Sequence, residues 1–314
     1  MNNKYITAFA PASIGNVAVG FDMLGLAIKG AGDRVSARRV NEEGVFIKEI
    51  YDQAGNPHKD LSKNSDENTA SIAAKALWSA EGGQSGIEML IHKGIPLQSG
   101  MGSSAASAVA GAVAVNALLD QPLSTEKLMK YALEGEKYAS GGIHADNVAP
   151  SLIGGMVFCP PSYLPEITSV EVPKIISSVL VHPDLIVNTA ESRNGLANNY
   201  SMSQWLNQQS YLAGFLLGLQ KVDLDLIKNS MHDVIIEPQR SDSVGCFDEI
   251  KKAAMNKGAL GCSLSGSGPS IFALCENHIA VELKTIMMEI FASHNIDSQG
   301  WVSPLNTSGA YVET

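Results

Sequence analysis

Residues Pro96 to Ala106 read Pro-Leu-Gln-Ser-Gly-Met-Gly-Ser-Ser-Ala-Ala, placing two glycines and three serines directly before an alanine-rich stretch. Glycine permits positive φ and lets a backbone approach a ligand closely. The first N–H groups of a following helix have no partner inside it, and the helix dipole adds positive potential there. Loop and helix together make an anion cradle, with phosphate the simplest occupant. Serine hydroxyls add hydrogen-bond donors and hard oxygen ligands for Mg²⁺. A glycine turn with a serine cap would explain a lone Gly-x-Gly. The density of small polar residues and the length of helix behind them favour the cradle.

That helix is expected to be buried. Ala105 to Leu119 is mostly Ala and Val and falls short of the ~20 residues of a membrane span. With 314 residues, 45% apolar and 17% charged, the chain is expected to be globular and to form two domains. A net charge of −10 with no Lys/Arg cluster argues against a nucleic-acid surface. Cys159, Cys246, Cys262 and Cys275 contain no Cys-x-x-Cys pair. They read as buried, reduced thiols in a cytoplasmic protein. Too few apolar residues precede Ala8-Phe9-Ala10 for a secretion signal.

Patterning predicts strands at Tyr5–Ala10, Arg34–Arg39, Val45–Ile50 and Gly86–His92, with loops at Pro11–Asn16 and Gln53–Asp66. Helices are expected from an Asn68 or Thr69 cap to Ala80, over Ser103–Leu119, and over Thr125–Ala139 behind Ser124. On the wheel of the last, Glu136 lies at the edge of the apolar face and Glu134 points well away. Prolines 160, 161, 165 and 173 mark a junction between domains 1–160 and 161–314. The second half mixes strand-like and helical stretches, including 203–221, 224–235 and 280–294. The mixture indicates α/β or α+β layers.

No Gly-x-x-x-x-Gly-Lys-[Ser/Thr] is present, nor the protein-kinase signature set, nor an opening Gly-x-Gly-x-x-Gly. The cradle is therefore expected to lack a lysine of its own, leaving charge compensation to Mg²⁺ and backbone N–H groups.

The loop Pro96–Ala106 resembles the Pro-x-x-x-Gly-Leu-Gly-Ser-Ser-Ala-Ala motif of the GHMP small-molecule kinases, with Met101 in place of the leucine. Ala10-Pro11-Ala12-Ser13-Ile14-Gly15-Asn16 with Gly20-Phe21-Asp22 is similar to the first motif of that family, in its homoserine-phosphorylating branch. His144-Ala145-Asp146-Asn147-Val148-Ala149-Pro150 is similar to the same branch, and Gly261–Pro269 resembles the glycine-rich third motif. The resemblance implies an α+β, two-domain GHMP kinase fold: a domain like the second domain of ribosomal protein S5, then a ferredoxin-like domain. It implies the reaction ATP + L-homoserine → ADP + O-phospho-L-homoserine, a step toward threonine, carried out by a cytoplasmic homodimer.

Residue roles follow by resemblance. Pro96, Leu97, Gln98, Ser99, Gly100, Met101, Gly102, Ser103, Ser104, Ala105 and Ala106 would bind ATP. Ser104 and Glu136 would ligate Mg²⁺. Arg193 and Arg240 would hold the substrate carboxylate, guanidinium matching it bidentately. Asp22 would take the ammonium, Asn16 the attacking hydroxyl, and Asn147 and Thr189 would assist. His144 joins the substrate side, with a structural role weighed above a proton relay. Asn147 stands near where mevalonate kinase, among others, places an aspartate base, and an amide cannot take a proton. Catalysis by positioning is therefore expected, with the proton passing to phosphate or water. Another GHMP kinase, acting on mevalonate or a sugar, and a non-catalytic metabolite sensor are the competing readings.

Overall fold

Two long antiparallel strands, β1 (Ile6–Gly15) and β2 (Leu24–Val40), form the spine of the first half. The computed structural model describes residues 4–83, 85–140, 142 and 144–314. β1 runs through the Pro11–Gly15 stretch expected as a loop. Ala10, Ala12 and Ile14 point into the core at full burial, and the register shifts between Pro11 and Ser13. A proline at such an irregularity does not interrupt a strand.

β3 (Val45–Tyr51) lies parallel to β4 (Gly86–His92), which is antiparallel to β2. α1 (Thr69–Ala80) begins at Asn68, whose side chain caps the Ala70 N–H at 3.1 Å. α2 (Ser103–Asn116) lies on β1 and β2. Every residue of α2 except Ser104 is buried. A 3₁₀ turn at Thr125–Leu128 precedes α3 (Met129–Ser140), so the single helix expected there is split. α4 (Ala145–Ile153) also covers β1 and β2. α1 and α3 pack on α2 through glycine and alanine. A Cβ on Gly111 would lie 2.4 Å from the Ala70 carbonyl, and one on Gly135 2.4 Å from the Thr69 carbonyl.

β5 (Met156–Phe158) pairs with β2, and β6 (Thr168–Val170) pairs with β5. A second sheet follows, from β7 (Ile176–Pro183). Next come α5 (Thr189–Asn194), α6 (Met202–Lys221), α7 (Leu224–Ser230), α8 (Glu237–Arg240) and α9 (Phe247–Lys257). β8 (Gly261–Leu264), β9 (Ile271–Glu276), α10 (Ala280–Ser293) and β10 (Ser298–Pro304) complete this half. Its antiparallel order, β10-β7-β9-β8, is that of a ferredoxin-like βαββαβ unit. α7 fills the first part of the 224–235 stretch. The Asp233 carboxylate accepts the N–H groups of Ile235, Ile236 and Glu237 and turns the chain into α8.

β11 (Tyr311–Val312) returns to pair with β1. β5 and β6 belong to the first sheet and β7 opens the second, so we propose a junction between Val170 and Ile176 rather than at 160. The apolar core is continuous across it: Leu180, Phe215 and Phe272 join the cluster that holds Ile14, Leu26 and Val109. All four cysteines are buried free thiols. Among the described residues no helix is long and apolar enough to cross a membrane.

Candidate active site

A cleft of about 420 Å³ opens where the start of α2 faces the second half. Gly102 occupies the N-cap position at φ 67°, and no side chain caps the helix. The N–H groups of its first turn therefore remain available to a ligand. Leu97, Gln98, Ser99, Gly100, Gly102, Ser103 and Ser104 line the cleft. Met101, Ala105 and Ala106 lie buried beneath it, and Pro96 does not reach it. The loop is stitched to the glycine-rich turn after β8. Ser265 Oγ donates to Gly100 O at 2.6 Å and Ser270 Oγ to Ser99 O at 2.6 Å.

Lys93, directly after β4, is a lysine beside the cradle whose donors are all taken within the protein. It lines the same cleft and is 5% exposed. Its Nζ pairs with Asp33 and donates to Ser103 O at 3.0 Å and Ser107 Oγ at 2.7 Å. Asp33 also accepts the N–H groups of Gly94 at 2.9 Å and Ile95 at 3.1 Å, so one buried carboxylate fixes both the lysine and the start of the loop. In the sequence, Lys93 is a lone lysine after a strand, which more often means a solvated charge.

Glu136 reaches the cleft from α3 and is 7% exposed, deeper than the edge of a helix face suggests. Burial pushes its carboxyl up to about 7, against a hydrogen bond with Ser104 that draws it down. Two hard oxygen donors thus meet beside the helix start, the pattern that suits Mg²⁺ shared with phosphate. Among the described residues no group of three or more His, Cys, Asp and Glu side chains is assembled to hold a metal by itself. Asp146, 3% exposed on α4, is likewise raised to about 7 by burial and then by Asp22. Its Oδ2 accepts the Asn16 N–H at 3.1 Å. Asn147 Oδ1 accepts from Ser13 Oγ at 2.9 Å, which turns its amide group toward Asp146.

The other side of the cleft is cationic. Arg193, from α5, grips Asp22 with two bonds of 2.7 and 2.9 Å. Asp22 is thus partnered within the protein rather than an exposed loop carboxylate. Arg240 is 6% exposed; its Nη1 donates to Gly266 O at 3.1 Å, and its Nε has no partner. Burial lowers its pKa, as does Arg193, and that of Arg193 is raised by its bonds to Asp22. Both guanidinium groups sit over the Phe21 ring, at 5.3 and 5.4 Å. His144 Nδ1 lies 3.7 Å from Asp22, and its pKa is lowered by burial and by Arg193, which favours the neutral ring. Asn16 Nδ2 donates to Gly266 O at 3.1 Å, and its Oδ1 accepts the Asp22 N–H at 3.1 Å. Thr189 accepts from Ser267 Oγ at 3.3 Å.

An uncapped helix start, a Ser–Glu oxygen pair and a buried arginine with an open donor therefore share one cleft. Residues 68–155 match the GHMP kinases N terminal domain and residues 215–285 the GHMP kinases C terminal family. The chain belongs to the GHMP kinases. It is 42% identical to a homoserine kinase of Xanthomonas campestris pv. campestris, over 96% of this chain and 92% of that one. A homoserine kinase of Chloroherpeton thalassium is 36% identical over 98% and 99% of the two chains. The crystal structure of homoserine kinase from Cytophaga hutchinsonii superposes with a TM-score of 0.94 at 41% identity, covering 100% of this chain and 98% of that one. A mevalonate kinase structure, at TM-score 0.70 and 14% identity, shares the fold.

Proposed function

We propose that the protein is an ATP-dependent homoserine kinase, transferring the γ-phosphoryl group to the side-chain hydroxyl of L-homoserine on the route to threonine. The observation that carries this reading is Arg240: a buried guanidinium with an unused Nε, beside Arg193 and Asp22, in the same cleft as the helix start. A buried cation with an open donor calls for an anionic partner. The α-carboxylate of an amino acid supplies one, and its ammonium answers Asp22. Mevalonate has the carboxylate but no ammonium, so the pair of charges favours homoserine.

In this reading the triphosphate lies along the N–H groups of α2, whose loop the buried Lys93–Asp33 pair holds in place. Ser104 and Glu136 would hold Mg²⁺, which when bound neutralises the phosphate oxygens. Arg240 and Arg193 orient the carboxylate, Asp22 the ammonium and Asn16 the hydroxyl. Asn147, Thr189 and His144 complete the substrate side. Asp146 already holds the Asn16 N–H, so its carboxylate serves to position Asn16. Rate then comes from alignment and charge stabilisation, with the proton leaving to phosphate or water. We further propose a cytoplasmic homodimer. Exposed Met202, Trp205 and Leu206 on α6 support a face for a second copy, and light scattering of the purified chain tests it.

A coupled assay of ADP release against L-homoserine, D-homoserine, mevalonate, galactose and shikimate decides the function. L-Homoserine alone is expected to drive turnover. Turnover with mevalonate and not homoserine overturns the reading, and nucleotide binding without any turnover identifies a sensor.

A further inference from the structure

Asn16, Val17 and Ala18 are three successive non-glycine residues at positive φ, 68°, 42° and 59°, and Asp22 follows at 56°. Left-handed backbone is disfavoured for any residue with a Cβ, and a β-branched valine is especially ill suited to it. The turn is closed from within by Gly20 N–H on Asn16 O and Val19 N–H on Val17 O, each at 2.9 Å. It carries two of the residues assigned to the acceptor, so what holds it also holds them.

Asp146 steadies the turn from the first half, through the Asn16 N–H. The second half contributes Gln208, from the middle of α6. Its Nε2 donates to Val19 O at 3.2 Å, and its Oε1 accepts the Val234 N–H at 3.0 Å. Val19 is 1% exposed, so its carbonyl has little access to water. Val234 opens the segment that Asp233 folds into α8, at whose end stands Arg240. One primary amide therefore joins the backbone that presents Asp22 to the backbone that presents Arg240. The span needs a donor and an acceptor on one planar group. Glutamate lacks the donor, leucine lacks both, and asparagine is one methylene short.

We propose that Gln208 is a positioning residue for the acceptor substrate, clamping the strained 16–22 turn and the 234–240 segment at a fixed separation. The proposal rests on Asp22 and Arg240 binding that substrate. Steady-state kinetics of the full-length chain test it, on Gln208→Leu and Gln208→Glu with Arg240→Ala alongside. Both Gln208 variants are expected to raise KM for homoserine about tenfold while KM for ATP stays within about twofold. A purely structural role would instead lower Tm and the yield of active enzyme with both KM values unchanged. Gln208→Glu keeps the side-chain size, so the test survives if the leucine variant does not fold. Unchanged homoserine KM in a folded Gln208 variant, or an equal rise for both substrates, overturns the clamp. Unchanged homoserine KM in Arg240→Ala overturns the substrate assignment beneath it, and the clamp with it.

Discussion

Glu136 holds its proton in the native chain up to about pH 7, whereas its ordinary value is 4.5. Between those values the native form binds more protons than the unfolded form, so stability falls as pH rises through the window. Glu136→Gln removes the buried charge. At about pH 8 without nucleotide the variant should be more stable, by on the order of 2–3 kcal/mol. Its turnover should need more Mg²⁺ than the parent and recover partly as Mg²⁺ is raised. A lower melting temperature at that pH, or unaltered metal dependence, contradicts the assignment. Arg240→Ala should raise KM for homoserine about ten- to a hundredfold and leave KM for ATP near the parent value. Any pH-dependent limb in kcat should survive Asp146→Asn, because the Asp146 side chain serves to position Asn16; its loss with intact substrate affinity would make Asp146 the base. Glu136 was legible from its place on the helix wheel. Lys93 was not, because only the fold brings Asp33 and Ser107 around it.

Among elements, the loop before α2 announced itself most clearly, because glycines and serines have few other reasons to crowd ahead of an alanine helix. Gly102 shows why no other residue serves. It sits at φ 67°, and a Cβ there would lie 2.3 Å from Ser13 Oγ and 2.9 Å from Asn147 Oδ1. Gly102→Ala should therefore raise KM for ATP, lower the melting temperature and break the Ser13–Asn147 bond, by a combined strain of about 1–3 kcal/mol. Nucleotide affinity equal to the parent would show that the backbone there is not held tightly. β1 was misread beyond Ala10 because Pro, Ser and Gly look like turn residues, and only the partner strand reveals the alternation that α2 and α4 bury. The turn into α8 carried no sequence signal, because Asp233 resembles any polar residue until its three backbone bonds are seen.

At the scale of the molecule, patterning could establish that strands and helices mix, but not which strand joins which sheet. β5, β6 and β11 are too short to carry a signal, and all three belong to the first sheet. One apolar cluster spans both halves beside a second confined to the later half, so urea should unfold them together. Far-ultraviolet circular dichroism and tryptophan fluorescence, which reports Trp78 in the first half and Trp205 and Trp301 in the second, should give one midpoint. Two separated midpoints would show independent halves. The seam of serine and glycine contacts between residues 99–100 and 265–270 has a kinetic corollary. Jaw-like parting of the lobes would tear apart the very loop that grips the nucleotide, so spent ADP must escape by local motion of a small flap. α5, six residues long with no buried side chain and tied to the cleft through Arg193–Asp22 and Ser267–Thr189, is the segment expected to swing. The radius of gyration in solution should then stay constant through the catalytic cycle, while exchange of amide hydrogens quickens only around residues 189–194.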